Sequence, residues 1–239
     1  MKNFIDILAD IAAAKARITD TAKTEKELDR QTMREAWKNG TEEEKTAAYE
    51  KYKATEARYI EELKENERLK VLCEVLRDNA AQAYFSENIG IICDIWNRYA
   101  GKPHGEKTAE KIRSEIYNAI GSRCYIRNKY DTAEITVYFD YSTRYPFRDL
   151  VFCPIWEGEN KPALVDNKVQ TITAKKMRVY CCGEYTEDPE AHAAAVYAAH
   201  AAAKEAEKAF EEAVSNYNKL CRGNMSHAST REGVKNWII

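Results

Sequence analysis

The chain has 239 residues, 44% of them hydrophobic, enough to close a core over one or two domains. Charged residues make up 32%, yet 37 Lys and Arg against 39 Asp and Glu leave a net charge of −2, which excludes the strong overall field of a general nucleic-acid or membrane-surface binder. Nine glycines and five prolines among abundant Ala, Glu and Lys favour long helices, and no apolar run approaches the roughly 20 residues needed to span a bilayer.

Residues 3–37 read as one helix, with Phe4, Leu8, Ile11 and Ile18 at helical spacing and no glycine or proline before Gly40. "NGTEEE" at 39–44 then punctuates the chain. Asn39 and Gly40 can end a helix, and Thr41 can cap the next, whose first turn holds Glu42, Glu43 and Glu44 where the helix dipole favours acids. A second helix is expected to about Ala80. Its stripe is Tyr49, Tyr52, Tyr59 and Leu63, continued after a register shift by Leu69, Leu72 and Leu76. Two long helices around a short turn predict an antiparallel hairpin. Residues 81–100 are more apolar (Tyr84, Phe85, Ile89, Ile92, Ile95, Trp96, Tyr99) and read as a more deeply buried helix. "AGKPHGE" at 100–106 breaks it, and a fourth helix follows from Glu106 to Ile120, stopped by Gly121.

The period changes after Ser122. "AEITVYFDY" at 133–141 alternates, with Ala133, Ile135, Val137 and Phe139 on one face, as a half-buried strand does. "CYIR" at 124–127 reads as its hairpin partner, and 149–156 and 175–182 as further strands. Helical texture returns from Glu187 to Leu220, where Asp188 can cap and Pro189 suits the first helical position. Val196, Phe210, Val214 and Tyr217 form its thin apolar stripe. The expected fold is α+β and mostly α. Residues 1–80 form an N-terminal helical hairpin, 81–186 an α+β head with a small antiparallel sheet, and 187–239 a C-terminal helix and tail. Residues 3–79 and 187–220 are expected to pack together as a coiled-coil-like stalk, because narrow apolar stripes need one another for burial.

Candidate chemistry is sparse. Seven cysteines at irregular spacing, and Asp6 and Asp10 within the opening residues, point to free thiols in a reducing cytoplasm. Cys181 and Cys182 are adjacent and face opposite ways on a strand. His192 and His200 lie eight residues apart, roughly 12 Å along a helix, too far to share an ion. Cys124 or Cys153 would have to join them to make a zinc site, so core thiols and surface histidines are the expectation, with no metal and no cofactor. Asp140 followed by Glu159-x-Lys161 resembles the restriction-endonuclease-like pattern, in which carboxylates hold Mg²⁺ and lysine orients water. Here Gly158, Asn160 and Pro162 make that stretch a turn rather than an apolar strand. Lys102 and His104 precede a helix N-terminus, where anions can bind, but in an ordinary interhelical loop.

The head carries the most informative surface. Between residues 101 and 185 there are 14 Lys or Arg and 11 Asp or Glu, against 17 and 20 in the first hundred. Arg123, Arg127, Lys129, Tyr130, Arg144, Tyr145 and Arg148 lie in or beside the strand hairpin, and Lys175, Lys176 and Arg178 on the last strand. Arginine and tyrosine together stack bases and grip phosphates, and they are also enriched at protein–protein hot spots. A solvated sheet face with cross-strand pairs explains them equally simply. With its helical stalk, small head and no recognised catalytic motif, the chain resembles in architecture accessory proteins of phages and other mobile elements, inhibitors of bacterial defence nucleases among them. The resemblance implies a non-enzymatic protein whose partner is another protein or a protein–nucleic acid complex. Direct nucleic-acid binding by the head is the alternative, and a metal-dependent nuclease the second. No membrane partner is expected, and the stalk offers a route to self-association.

Overall fold

A computed structural model describes residues 1–129, 132–138, 149–154, 164–165, 167–180 and 183–220. The fold is mostly helical with a small antiparallel sheet, as the sequence implies. In chain order the helices are α1 (Phe4–Ala16), α2 (Thr21–Asn39), α3 (Glu42–Asn97), α4 (Glu106–Ile120) and α5 (Pro189–Leu220). The strands are β1 (Arg123–Lys129), β2 (Thr132–Tyr138), β3 (Asp149–Pro154), β4 (Leu164–Val165), β5 (Lys168–Val169) and β6 (Met177–Tyr180). Two compact units result, Met1–Pro189 and Glu190–Ile239, and all of α5 beyond its first residue belongs to the second.

The spine of the first unit is α3, 56 residues long and about 84 Å at 1.5 Å per residue. It starts in a full capping box: Thr41 Oγ1 accepts from the Glu44 amide at 3.3 Å, and the Glu44 carboxylate accepts from the Thr41 amide at 2.7 Å. Gly40 before it is a steric necessity, since a Cβ there would stand 2.7 Å from the Ala36 carbonyl oxygen. The turn between α2 and α3 is therefore as expected. Two other expectations change. The helices expected to meet near Ala80 are one, because Asn79, Ala80, Ala81 and Ala83 are buried in continuous helix with no breaker among them. The helix expected over 3–37 is two, parted at Arg17–Asp20 with neither glycine nor proline.

Contacts from α3 explain that break. Asn66 donates from Nδ2 to the Thr19 carbonyl at 2.6 Å and accepts the Thr19 amide at Oδ1 at 3.2 Å. The Glu62 carboxylate accepts from the Ala22 amide at 3.0 Å and the Thr19 hydroxyl at 3.1 Å. Asp20, at the N-cap of α2, makes no side-chain cap of its own. One first-turn amide of α2, that of Ala22, is thus served by a carboxylate from a neighbouring helix, in the electropositive position a cap would occupy.

Both α1 and α2 pack along α3. One line of buried and half-buried positions along α3 runs 48, 52, 55, 59, 62, 66, 69, 73, 76, 80 and 83, an unbroken alternation of three- and four-residue steps. From Leu69 onward further positions such as Leu72, Val75 and Asn79 are buried beside it. On α1, the buried residues Phe4, Ile7, Ile11 and Ala14 repeat that alternation. No register shift occurs: Tyr49 and Leu63 are exposed, while Thr55 and Asn66 take the buried places. Against α2 the seam is therefore polar. Asp29 is buried, accepting from the Thr55 hydroxyl at 2.6 Å and pairing with Lys51 at 2.8 Å. Lys26 pairs with Glu56 at 3.1 Å and lies over the Tyr59 ring at 4.6 Å, and Arg58 reaches Glu25 at 2.8 Å. Every polar group in this seam has a partner, which is the condition for a buried charge to be tolerated.

The apolar core lies at the other end of α3. Phe4 meets Tyr84 edge-on at 5.1 Å, and Phe85 stacks on Phe152 of β3 at 5.4 Å. Ile92, Trp96, Ile112, Ile116, Ile135, Val137, Leu150 and Phe152 are fully buried between α3, α4 and the sheet. The sheet order is β1-β2-β3-β6, all antiparallel. The last strand begins later than expected, because Ala174–Lys176 form a 3-10 turn whose Ala174 carbonyl accepts from the Met177 amide. Gly121, at φ 70°, ends α4 in the left-handed conformation that glycine adopts without penalty.

Two asparagines tie the sheet to α3. Asn97 donates to the Ile172 carbonyl and accepts the Ile172 amide, both at 2.8 Å. Asn79 does the same with Thr186, both at 2.8 Å. The two are 18 residues apart, five helical turns, and so share one side of α3. Between them the Cys93 thiol meets Met177 Sδ at 3.8 Å, which places β6 along that side. The β4–β5 hairpin, unmarked in the sequence, turns on Asn167 at φ 56° and is held by the α3–α4 loop. There Gly101 donates to the Val169 carbonyl at 2.8 Å, and Val169 to the Lys102 carbonyl at 3.0 Å.

Thr55→Val is expected to lower the stability of the folded chain by roughly 1–3 kcal/mol, the usual cost of stranding a buried polar group. Adding Asp29→Leu removes the stranded acceptor and is expected to recover most of the loss, as chemical denaturation of both variants would show. A further decline if Asp29→Leu is added would mean that the seam gains net stability from its polar pairs.

Acid should loosen the same seam. Hydrogen bonds from Lys51 and Thr55 hold Asp29 below the ordinary carboxylate range, and those from Lys26 and Tyr52 do the same for Glu56. A carboxyl lowered on folding contributes stability that is complete above its ordinary pKa and lost as the pH falls through the folded value. Unfolding monitored by circular dichroism should therefore be flat from neutrality to about pH 5 and weaken below about pH 4, with a smaller acid slope in Asp29→Asn.

Candidate functional site

The face of the sheet turned away from α3 and α4 is the candidate site. Strand alternation sends successive side chains to opposite faces. Cys124, Ile126, Ile135, Val137, Leu150, Phe152 and Met177 are buried on the inner face. Arg123 and Tyr125 of β1, Tyr138 of β2 and Arg178 of β6 are exposed on the other, with Glu134 and Thr136 of β2 and Val151 and Cys153 of β3 half-buried beside them. Tyr125 is 47% exposed and Tyr138 41%.

Register aligns these residues into rows. Tyr125 stands opposite Thr136, Thr136 opposite Val151, and Val151 opposite Tyr180, so one row crosses all four strands. Arg123 pairs with Tyr138, and Tyr138 with Asp149, in the row on one side of it. On the other side Arg127 stands opposite Glu134, and Cys153 opposite Arg178. The outcome is a face that exposes Tyr125 and Tyr138 together with Arg123 and Arg178, with Glu134 half-buried among them.

Of the residues singled out from sequence, the structure brings Arg123 and Arg178 to this face. It places Arg127 and Lys129 at strand positions two and four residues beyond Tyr125 in β1, the same alternation. Lys175 is exposed in the turn before β6 and Lys176 follows it there, so neither stands in the strand as expected. Tyr130, Arg144, Tyr145 and Arg148 lie outside the described residues, as do Asp140, Glu159, Lys161, Cys181 and Cys182. Tyr125 and Tyr138 are functional candidates that the sequence reading passed over. The alternation of β2 put Tyr138 on the polar side, and pairing β1 with β2 gives Tyr125 the same side, so the signal was present.

The remaining chemistry is muted among the described residues. No three His, Cys, Asp or Glu side chains there converge as a metal site would require. Burial pushes the Cys93 and Cys124 thiols up to about 11, which keeps both protonated and poorly nucleophilic at neutral pH. His192 and His200 are exposed on α5. In the loop before α4, the Gly101 and His104 amides donate to the Val169 and Asn167 carbonyls, Lys102 covers the Tyr99 ring at 4.6 Å, and burial lowers the His104 pKa. Those groups serve to seat the loop rather than to receive an anion. No helix among the described residues is long and apolar enough to cross a membrane. No family model, curated protein or solved structure matches the chain.

Proposed function

We propose that the protein is a non-enzymatic binding protein whose outer sheet face grips another protein. One observation carries the reading: Tyr125 and Tyr138, both solvent-exposed, stand in adjacent rows of one sheet face, Tyr138 directly opposite Arg123 and Tyr125 in the row that continues through Thr136 and Val151. Rigid aromatic side chains beside arginine on a backbone fixed by its own ladder cost little conformational entropy on binding, which is why such residues dominate interface energetics. Glu134 on the same face and the net charge of −2 favour a partner of mixed charge over a polyphosphate. A nuclease of host defence, inhibited by being bound, is the partner that the architectural likeness suggests.

Nucleic acid is the second reading, favoured by the same two tyrosines, which could each stack a base. Salt separates the readings. Phosphate contacts lose affinity steeply with salt because counterions are released, whereas protein hot spots respond weakly. For whichever partner co-purifies from the native host, Tyr125→Ala with Tyr138→Ala is expected to leave the melting temperature near that of the parent. The pair should weaken binding by about thirtyfold or more, the effect of losing roughly 2 kcal/mol. Binding that survives this change with unaltered affinity would place the working surface elsewhere. A steep salt slope would reassign it to nucleic acid.

A further inference from the structure

A second surface lies on the helical hairpin, remote in sequence from the sheet. Near the α2–α3 turn, Met33, Arg34, Trp37 and Lys38 of α2 and Tyr49 of α3 line an open groove of about 640 Å³. Trp37 is 61% exposed, an unusual state for the side chain that gains most from burial. Farther along α3, Ile60 and Leu63 are also exposed and share the arc of Tyr49 at 100° per residue, with Lys53 and the Lys26–Glu56 pair lying between. A Trp and a Tyr exposed side by side on one groove mark an interaction site more often than a solvated face.

Charge tells what would cover it. Several other cations of the hairpin are paired within it: Lys26 with Glu56, Lys51 with Asp29, Arg58 with Glu25, Lys45 with Glu42. Arg34 and Lys38 flank Trp37 with no ion pair among the described residues, and Lys53 lies over the Tyr49 ring at 4.8 Å rather than on a carboxylate. The groove thus sets the apolar Met33, Trp37 and Tyr49 beside these two cations, Arg34 and Lys38, and no acidic residue among the described residues lines it.

We propose that this groove is a docking site for an acidic amphipathic helix of a partner protein. Bulky apolar side chains at every third or fourth position would seat over Met33, Trp37 and Tyr49, and flanking carboxylates would meet Arg34, Lys38 and Lys53. Antiparallel helices leave a furrow between them that a third helix fills by ridges-into-grooves packing, so a helix fits the shape better than an extended strand. Met33, unbranched and polarisable, adapts the floor to more than one apolar side chain.

Three synthetic peptide helices of about five turns, sharing one Leu/Phe face and differing only in having Glu, Gln or Lys flanks, provide the test. They would be titrated against the full chain by fluorescence anisotropy. The Glu peptide is expected to bind most tightly and the Lys peptide most weakly. Trp37→Ala is expected to cost about thirtyfold in affinity, and Arg34→Glu with Lys38→Glu to reverse the order of the Glu and Lys peptides. All these residues are exposed, so the variants should melt near the parent. Equal affinity for the three peptides, or indifference to Trp37→Ala and to the charge reversal, would overturn the proposal. So would self-association in sedimentation that Trp37→Ala abolishes, because the groove would then belong to a second copy of the chain.

Discussion

The fold depends on side-chain amides of α3 that pair with the backbone of passing chain. Asn66, Asn79 and Asn97 each offer one donor and one acceptor, and each uses both on a single residue: Thr19, Thr186 and Ile172. The geometry imitates one rung of a β-ladder. It satisfies backbone groups that a helix break or an irregular segment would otherwise leave unpaired, at part-buried positions where water serves them only incompletely. Hydrophobic burial alone could hold α1 and the sheet against α3, but it is non-directional and would tolerate slippage by a turn. The amides fix the register.

That constraint reaches the candidate site. Asn79 and Asn97 pin Thr186 and Ile172 to one side of α3, on either side of β6 in the chain, and β6 is an edge of the sheet. With β6 placed, Val179 and Met177 pair with Phe152 and Pro154 of β3, and the inner face is committed to Phe85 and Cys93. The outer face then has to be the one bearing Arg123, Tyr125, Tyr138 and Arg178. A one-residue slip would exchange the two faces, burying arginines and exposing Phe152 and Leu150.

Local signals in the sequence located much of this. Thr41 with Glu44, Gly121, Pro189 and the alternation of β2 each act within a few residues, so their structural effect could be read where they stand. What escaped depends on distant partners. The α1–α2 break has no glycine or proline, and is held by Asn66 and Glu62, more than forty residues away. The seam of α3 hides in the same way. A hydrophobic stripe drawn through Tyr49 and Leu63 misses it, because the buried positions are Thr55 and Asn66, polar residues whose partners lie on α2 and in the α1–α2 link. Of the candidate site, the arginines were legible from composition, whereas their convergence with Tyr125 required the strand register.

Native-state hydrogen exchange at three amides tests the central claim most directly. The Thr19, Ile172 and Thr186 amides lie outside any helix or strand, and as ordinary loop amides they would exchange within seconds to minutes. If the asparagines hold the backbone as described, all three are strongly protected, and Asn97→Ala, which removes the acceptor of the Ile172 amide together with the donor to its carbonyl, releases Ile172 while leaving Thr19 protected. Exchange of these amides at coil rates in the unaltered chain, or protection at Ile172 that survives Asn97→Ala, would contradict the account.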